Sequence, residues 1–405
     1  MKLADIIETF ISGDWGEESP SNDTPNAVYC VRGADIVPIT NHRFNDIPQR
    51  YVCQRTVDSK MLQAGDLIIE KSGGSPTQST GRIVYVSDDL IREKGNIVCS
   101  NFCTALRVKS EWNPLYVFYY WQNVYNHDAF FNFEGKTSGI KNLQLDNALS
   151  AIEIEYLPLE SQNKIVASLS AIDEKLKINR QINDNLEAMA KQLYDYWFVQ
   201  FDFPNEEGKP YKSCGGAMVW NDKLKREIPQ GWDFCFLEDL LTIRNGRDHK
   251  HLADGIYPVY GSGGEMRKVS EYLYDGESVL MPRKGSLNNI MYVNEAFWTV
   301  DTMFYSEMKL SNCAKYIYYT IKDIDFTRWN SGTGVPSMTS STLYSIKLVK
   351  PQNETLKKFD EMISPLFEHM KQISEQNVVL TKQRDELLPL LMNGQASVNY
   401  HLSAY

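Results

Sequence analysis

Basic, amide and hydroxyl side chains gather in glycine-containing loops at two places along the chain. The first set is Lys71, Ser72, Arg82, Lys136, Thr137, Ser138 and Lys141. The second set is Arg244, Arg247, Lys250, Arg267, Arg283, Lys284, Ser286, Asn288, Asn289, Arg328 and Asn330. The paired donors and acceptors of arginine and asparagine match the edges of guanine and adenine in the major groove, so both sets are candidate DNA-binding residues. Each residue taken alone is more often an ordinary solvated one.

Motifs that could bind a cofactor or substrate have more ordinary interpretations. The run from Gly261 to Gly264 lacks the spacing and the lysine of a phosphate-binding loop, so a tight turn, or a backbone close to DNA phosphate, fits it better. The sequence Asn113-Pro114-Leu115-Tyr116 faintly resembles the Asn-Pro-Pro-Tyr motif of amino-methyltransferases. It fits a helix N-terminus better, with Asn113 as the cap and Pro114 in the first turn.

Catalytic and metal sites are also not indicated. Asp202 and Glu207 could imitate the carboxylates of a metal-dependent nuclease, but they lie in a stretch rich in Pro and Gly that cannot hold them rigidly. The six histidines show no metal-ligand spacing, and no motif for a serine or cysteine nucleophile occurs. We therefore predict no catalytic residue, no metal site and no enzyme activity in this chain.

The charge of the chain bears directly on a DNA-binding hypothesis. The 405 residues carry a formal net charge of −10, and 42% of them are hydrophobic, as in a protein with large cores and room for two domains. DNA-binding proteins usually show a basic balance, because contacts with phosphate supply much of their affinity. If this chain contacts DNA, either its basic residues are clustered or a partner protein supplies much of the grip.

Cysteine content and hydropathy predict a cytoplasmic location. The seven cysteines are odd in number and form no Cys-x-x-Cys pair, which argues against a disulfide framework or a zinc site. No apolar run approaches the ~18 residues that a membrane helix needs, and no secretory signal is recognisable at the start of the sequence.

Two long heptad patterns are the elements that must position these loops. The first seam contains Ile165, Leu169, Ile172, Leu176, Asn183, Leu186 and Leu193, and the second contains Ile363, Leu366, Met370, Ile373, Asn377, Leu380 and Leu387. The seams repeat with one offset (363 − 169 = 194 and 387 − 193 = 194), and the interrupting asparagines share it (377 − 183 = 194). Two unrelated amphipathic helices would not be expected to agree in this way, so we predict two copies of one helix packed together.

The segments before the two helices also echo each other. Leu237–Leu241 echoes Leu3–Ile7, residues 330–335 echo 136–140, and Pro351 echoes Pro158. Short apolar runs predict strands, and Leu115–Val124 predicts a helix. The expected strands are Leu67–Ile69, Ile83–Val86, Ala151–Ile154, Val279–Met281, Ile290–Val293 and Ser345–Val349. The order is therefore globule, helix, globule, helix, which makes the chain an α+β protein with an internal repeat.

The resulting division is a first globule at 1–157, a helix at 158–201, a linker at 202–229, a second globule at 230–350, a helix at 351–394 and a tail at 395–405. Pro365 lies inside the second helix and removes a backbone donor there. We expect this proline to kink or delay the helix, so that the effective seam begins only near Leu366.

Four stretches closely resemble the specificity subunit of Type I restriction-modification enzymes. They are Pro158–Gln162 continuing through Leu193–Phe201, Ile228–Trp232, Tyr257–Gly264 and Leu387–Gly394. The resemblance covers nearly the whole length in the right order. It implies two α/β target recognition domains separated by two long helices that form an antiparallel coiled coil with pseudo-twofold symmetry.

The resemblance further implies recognition of a bipartite, asymmetric site in double-stranded DNA, with the helix pair setting the distance between the two halves. Two modification subunits carrying S-adenosylmethionine would dock on the helices, and restriction subunits would join them. This chain itself would hold no cofactor, and its partners would share the phosphate contacts. Replacing Arg283 or Lys284 should then weaken one half-site only. A reader fused to its own enzyme and a coiled-coil scaffold without DNA readout are the alternatives.

Overall fold

The computed structural model of the chain describes residues 1–73, 78–137, 140–329 and 336–396. The chain forms two compact units: unit 1 contains residues 1–181 and 374–405, and unit 2 contains residues 182–373. Each unit has its own sheets and its own buried core. The predicted α+β class, with two sheet-containing domains and long helices, is confirmed.

The described residues contain twenty strands, and ten of these, with the helices around them, build unit 1. The strands are β1 Ile7–Ser12, β2 Asn26–Val31, β3 Gln49–Val52, β4 Leu67–Glu70, β5 Ser72–Gly73, β6 Ile83–Tyr85, β7 Ile97–Cys99, β8 Cys103–Val108, β9 Glu134–Thr137 and β10 Ile140–Leu143. The helices are α1 Ile36–Thr40, α2 Gln54–Lys60, α3 Asp88–Lys94, α4 Pro114–Asn126 and α5 Leu145–Ala151, followed by the long α6 Leu159–Tyr194, which continues into unit 2. The strand predicted at Ala151–Ile154 is wrong, because α5 ends at Ala151 and only an isolated bridge follows.

Unit 2 contains the other ten strands. They are β11 Met218–Asn221, β12 Arg226–Pro229, β13 Asp233–Phe236, β14 Leu241–Asn245, β15 Asp254–Gly261, β16 Gly264–Val269, β17 Tyr274–Pro282, β18 Met291–Thr299, β19 Met303–Met308 and β20 Lys347–Lys350. Its helices are α7 Leu237–Leu240, α8 Ala314–Lys322 and α9 Ser340–Tyr344, and the chain then enters the long α10 Asn353–Met392. The helix α10 returns to unit 1 after Ile373.

The main sheets of the two units have the same strand order. In unit 1 the four-stranded sheet runs β1-β8-β4-β6, and in unit 2 the six-stranded sheet begins β14-β19-β17-β18 before adding β15 and β16. All neighbours in the shared part are antiparallel. Equivalent strands therefore occupy equivalent places, as a duplicated unit requires.

Individual backbone hydrogen bonds repeat as well. The matching pairs are Leu3 N to Ile152 O (3.0 Å) with Leu237 N to Ile346 O (2.9 Å), and Lys109 N to Ile6 O (2.9 Å) with Lys309 N to Leu240 O (2.8 Å). The difference in residue number between equivalent positions of the two units is 234 at the start of the globule (237 − 3) and falls to 200 further along it (309 − 109). It reaches 194 just before the long helices (346 − 152). Unit 1 thus has 234 − 200 = 34 more residues ahead of β8, where β2, β3 and α2 lie.

Within unit 1 the first part of α6 packs on the last part of α10. Asn179 donates through Nδ2 to Asn377 Oδ1 at 2.8 Å, and Arg384 Nη1 lies 3.3 Å from Asp173 Oδ1. Positions rise along α6 as they fall along α10, so the two helices are antiparallel. Asn179 is only 1% exposed, which places a paired polar group in the seam one turn before the predicted Asn183.

Most of the predicted seam residues are at least half-buried. Ile165, Leu169, Leu176, Ile363 and Ile373 are buried, and Ile172, Asn183, Leu186, Leu193, Leu366, Met370, Asn377 and Leu380 are half-buried. The assignment of Leu387 is wrong, since its side chain is 37% exposed while Leu388 is only 3% exposed. The apolar run from Leu387 to Leu391 offers either leucine to the core, and the packing of unit 1 selects Leu388 and Leu391.

The start of α10 lies in unit 2 and precedes Pro365 by twelve residues (365 − 353). The expected delay of the helix is therefore wrong. Leu356, Phe359 and Ile363 are each 0% exposed, so burial in the unit 2 core holds these turns in the helix despite the proline. A missing hydrogen-bond donor costs less than exposing these three side chains would.

The stretch predicted to be a linker is folded in this structure. Strands β11 and β12 form an antiparallel hairpin, and Phe203 stacks on Trp232 with ring centroids 4.8 Å apart. Asp202 is buried, and its carboxylate accepts hydrogen bonds from Ser213 N (2.7 Å) and Ser213 Oγ (2.6 Å). This carboxylate therefore has a structural role, and the expectation that the stretch could not hold it rigidly is wrong for Asp202.

In the ranges that the structure describes, none of the helices combines the length and the apolar character that crossing a membrane requires. All seven cysteines lie within these ranges and carry free thiols.

Candidate nucleic-acid interface

In unit 2 the loop after β17 is fixed to the turn before β19. The backbone N–H groups of Arg283 and Lys284 both donate to Thr302 O, at 2.8 and 3.1 Å. Gly285 N donates to Pro336 O at 3.0 Å, and Met338 N donates to Arg283 O at 2.9 Å. The backbone beneath these two cationic side chains is therefore held at defined points, while the side chains themselves are exposed.

The glycine-rich turn between β15 and β16 lies against this loop. Asn289 donates through Nδ2 to Ser262 O at 2.9 Å. A Cβ added to Gly285, whose φ is +90°, would lie 2.8 Å from Ser262 Oγ, so the close approach of the two loops requires glycine there. Beside them is a cavity of about 530 Å³ whose lining includes Lys250 and Thr302. The turn is part of this loop cluster rather than a nucleotide site, in line with its sequence.

Four cations around this cluster keep their charged groups unengaged. Arg247, Lys250, Arg283 and Lys284 are exposed. Within the described ranges their side chains form no hydrogen bond or ion pair, although the guanidinium carbon of Arg283 lies 6.0 Å from the Phe304 ring centroid. Arg247 belongs to the same place, because its N–H donates to Thr299 O at 2.8 Å. Ser286 is also exposed in this loop.

Four further predicted residues of unit 2 have partners within the protein. Arg244 pairs with Glu307 at 3.0 Å, and Arg328 pairs with Asp325 at 3.1 Å. Arg267 donates to Leu252 O at 2.6 Å. Asn288 uses both ends of its amide, accepting from Phe326 N at 2.9 Å and donating to Asp325 Oδ1 at 3.3 Å. These contacts support the loops. If any of these four residues also contacted DNA, that contact would have to compete with its partner within the protein.

Unit 1 repeats the central contact of this cluster. The N–H groups of Lys71 and Ser72 both donate to Phe102 O, at 2.8 and 3.2 Å. Strand register agrees, since Glu70 faces Cys103 in unit 1 as Pro282 faces Met303 in unit 2. Lys71 and Ser72 are thus the structural equivalents of Arg283 and Lys284.

Most other candidates in unit 1 are tied into the domain. Arg82 forms a two-pronged pair with Glu70, at 2.8 Å from Nε and 2.6 Å from Nη2, and these hydrogen bonds raise the pKa of the guanidinium. The Glu70 side chain is only 3% exposed. Lys141 lies 2.9 Å from Glu134, and the Ser72 hydroxyl donates to Asn142. Among the residues of the first set whose side chains the structure describes, Lys71 is the one cation without a side-chain partner, and it is half-buried.

Four predicted residues cannot be placed. Ser138 and Asn330 lie outside the described residues, and the side chains of Lys136 and Thr137 are outside the description although their backbone forms part of β9. The residue that sequence reasoning missed is Phe102, at the position equivalent to Thr302. A basic residue followed two positions later by glycine, after an apolar strand, occurs in both repeats (Lys71 to Gly73 and Arg283 to Gly285) and could have aligned the two loops.

The other motifs keep their ordinary interpretations. Asn113 caps α4 by accepting from Leu115 N at 2.9 Å, with Pro114 in the first turn. In the described part of the chain no three His, Cys, Asp or Glu side chains form a group that could hold a metal ion.

Comparison with known proteins gives the family. The sequence profile of the Type I restriction modification DNA specificity domain (Methylase_S) matches residues 1–188 and 229–378. The chain belongs to this family. The predicted family is confirmed by this match, and the two relatives described next are named specificity subunits.

Two relatives are specificity subunits. The chain is 28% identical over 281 residues to the Type I restriction enzyme MjaIX specificity subunit of Methanocaldococcus jannaschii, a match that spans 62% of each chain. It is 21% identical over 465 aligned positions to the HindI specificity subunit of Haemophilus influenzae, covering 92% of this chain and 95% of that one. The chain thus spans less than two thirds of the first relative and nearly all of the second.

A solved structure shares the fold. The crystal structure of the S subunit of a Type I restriction-modification system from M. genitalium superimposes with a TM-score of 0.56 at 17% identity. The match covers 96% of this chain and 95% of that one.

The Arg82 and Glu70 pair gives a test of which cations of this specificity-domain protein are structural. We expect Arg82→Ala to lower the free energy of unfolding by about 1–3 kcal/mol, because it leaves a buried carboxylate unpaired. Recognition of DNA should be unchanged at a temperature where the variant is folded. Urea denaturation checks the stability, and the double variant Arg82→Ala, Glu70→Gln should recover part of the loss. If the Arg82→Ala variant kept its normal stability but recognised DNA differently, Arg82 would instead be a residue that contacts DNA.

Proposed function

We propose that this chain is the specificity subunit of a Type I restriction-modification complex and that each unit reads one half of a bipartite, asymmetric site in double-stranded DNA. The observation that supports this most is the repeated loop. In both units two consecutive N–H groups donate to one carbonyl oxygen, Phe102 O or Thr302 O. The same backbone frame carries Lys71 and Ser72 in one unit and Arg283 and Lys284 in the other. Different side chains on one frame suit two different half-sites.

The electrostatics of the loops are consistent with this role. The chain has a net charge of −10, yet the unengaged cations of unit 2 gather around the Thr302 turn. A local cluster of this kind can contact base edges and phosphates, whereas the protein as a whole would be repelled by DNA. We therefore propose that partner subunits supply a large share of the phosphate contacts.

Two modification subunits are the proposed partners on the long helices. Within unit 1, Ile178, Val378 and Val379 are 40%, 68% and 55% exposed, and within unit 2, Met189 and Met362 are 55% and 50% exposed. Helices that bury one face and leave such apolar side chains on another are suited to contacts with further proteins. The helix pair would then also set the spacing between the half-sites.

The remaining partners follow from the same proposal. S-adenosylmethionine would be bound by the modification subunits, which would methylate adenine, and restriction subunits would join for cleavage. Because the substrate is cellular DNA, the complex would work in the cytoplasm. A coiled-coil scaffold without DNA readout is the second candidate, and the long helices alone would suit it. The repeated loops and the unengaged cations favour DNA recognition over the scaffold.

Methylation mapping tests the proposal. The chain is expressed with the modification subunit of its system in a host that lacks other adenine methylation, and the modified positions of the host DNA are sequenced. We expect adenine methylation in both halves of one split motif, and its loss when this chain is omitted. Unmodified DNA, in the presence of an assembled complex with bound S-adenosylmethionine, would support the scaffold instead.

A further inference from the structure

Phe102 is an exposed aromatic residue on the loop of unit 1 that corresponds to the Thr302 turn of unit 2. Its side chain is 59% exposed. Its carbonyl oxygen accepts the two hydrogen bonds from Lys71 and Ser72 that repeat those from Arg283 and Lys284. The ring therefore lies at the edge of the unit 1 sheet that corresponds to the edge of the unit 2 sheet around which the unengaged cations of that unit gather.

The backbone beneath Phe102 is closely packed. A Cβ on Gly13 would lie 1.9 Å from Ser100 O and 2.9 Å from Asn101 N, so the chain leaving β1 passes directly against this loop. Together with the hydrogen bonds to the carbonyl of Phe102, this packing fixes the position of the loop. The backbone of a loop fixed in this way loses little further freedom when it binds a partner.

The surroundings of Phe102 combine apolar surface with polar groups. A cavity of about 390 Å³ opens beside it and is lined by Trp15, Arg32, Ser72 and Asn101 among others. The guanidinium of Arg32 is engaged by Asp35, at 2.9 Å from Nε and 2.7 Å from Nη2. A single exposed apolar side chain needs no explanation in itself. Phe102, however, lies on the loop of unit 1 that is equivalent to the Thr302 turn of unit 2, around which the unengaged cations gather. This position provides an explanation for its exposed ring.

The chemistry of the two readers therefore differs. In unit 2, Arg247 and Arg283 offer guanidinium groups without a described hydrogen-bond partner. In the described part of the unit 1 loop, Arg82 is paired with Glu70, and Lys71 supplies a point charge. At the position equivalent to Thr302, unit 1 presents an exposed aromatic ring, which is able to make an apolar contact with a base edge. In the major groove the apolar group that distinguishes one base is the 5-methyl of thymine.

We propose that Phe102 is a specificity-determining residue that contacts the 5-methyl group of a thymine in the half-site read by unit 1. The inference rests on the proposed function and adds to it a residue, a base and an atom. Lys71, on the neighbouring strand end, supplies a phosphate contact that holds the loop against the DNA.

Replacing thymine by deoxyuridine tests this contact, because it removes only the methyl group. The chain is assembled with its modification subunit, and the half-site of unit 1 is taken as the one whose recognition Arg283→Ala leaves unchanged. Each thymine of that half-site is replaced in turn, and the affinity of the complex is measured. We expect one replacement to weaken binding by roughly threefold to fivefold, the value for losing one buried methyl group. Phe102→Ala should bind the thymine and the deoxyuridine duplexes equally.

Phe10→Ala is the matched control, since Phe10 is 54% exposed on β1 of the same unit. It should keep the sensitivity to deoxyuridine, and both variants should keep the thermal stability of the parent chain. Equal sensitivity in the parent and in Phe102→Ala overturns the inference, as does a parent complex that tolerates every replacement or a half-site without thymine. Each of these results would leave a specific bipartite site in place, whereas failure of the proposed function would show as no specific binding at all.

Discussion

Replacing Arg283 by alanine should relax recognition at one base pair in one half of the target and leave the other half unchanged. The side chain is exposed, and within the described ranges it forms no hydrogen bond or ion pair. Its backbone is fixed by the hydrogen bond from its own N–H to Thr302 O at 2.8 Å. A guanidinium presented in this way can form the two-pronged contact with guanine O6 and N7, which discriminates against the wrong base by about 1–3 kcal/mol, or roughly 5- to 150-fold.

Two control variants separate the planar guanidinium from charge in general. Arg283→Lys keeps the positive charge but loses the two-pronged geometry, so we expect it to retain non-specific affinity while losing discrimination at the same base pair. Lys347→Ala removes a positive charge from the exposed surface of unit 2, on β20, and should change neither half-site.

Methylation mapping and binding to duplexes with single base-pair changes give the readout for these variants. If Arg283→Ala still discriminates against the wrong base at this base pair, Arg283 does not take part in base recognition. Loss in both half-sites would place its effect on assembly of the complex rather than on one unit.

The sequence contained enough information for the architecture because its signals are local and repeated. Heptad spacing over more than thirty residues defines a helix and its buried face without knowledge of any partner, and α6 and α10 extend over 36 and 40 residues. The fixed offset of 194 identified the helices as copies, and the capping residue Asn113 was recognisable from the proline that follows it. Where the local signal was ambiguous, as between Leu387 and Leu388, tertiary packing made the choice.

The candidate interface was less predictable from the sequence, because residues distant in sequence determine whether a surface cation is paired with a carboxylate or unengaged. Arg82 is recruited by Glu70 across paired strands, and Arg244 is recruited by Glu307, 63 positions further along the chain. Strand pairing determines which residues form such ion pairs, and no local sequence pattern around either arginine predicts them. Phe102 was missed because the candidate sets contained only basic, amide and hydroxyl side chains, and only the structure shows that its ring is exposed.

Phe359→Ala should destabilise unit 2 more than any other single truncation considered for this chain, by about 3–5 kcal/mol. The ring is 0% exposed, and its centroid lies 4.8 Å from that of Phe198 in an edge-to-face arrangement and 5.7 Å from that of Trp197. It therefore joins the segment directly after α6 to the first turns of α10 inside the core of unit 2. The loss combines the removed apolar area with the cavity left between two aromatic rings that cannot move together freely.

The position of Phe359 ahead of Pro365 adds a second consequence. The turns of α10 before the proline are held by Leu356, Phe359 and Ile363, since Pro365 itself contributes no backbone donor to them. Removing the central side chain of the three should loosen this part of the helix first. Hydrogen exchange of the amides from Thr355 to Ile363 should then rise more than that of the amides after Ile373.

Met362→Ala supplies the matched comparison on the same helix, because Met362 is 50% exposed and its loss should cost less than ~0.5 kcal/mol. Urea denaturation followed by circular dichroism measures the free energy of unfolding, and the fluorescence of Trp197 and Trp232 reports on the core of unit 2. Equal unfolding midpoints for the two variants would contradict the placement of Phe359 in that core. A large loss confined to Phe359→Ala would show that apolar burial, rather than helix propensity, keeps α10 continuous through its proline.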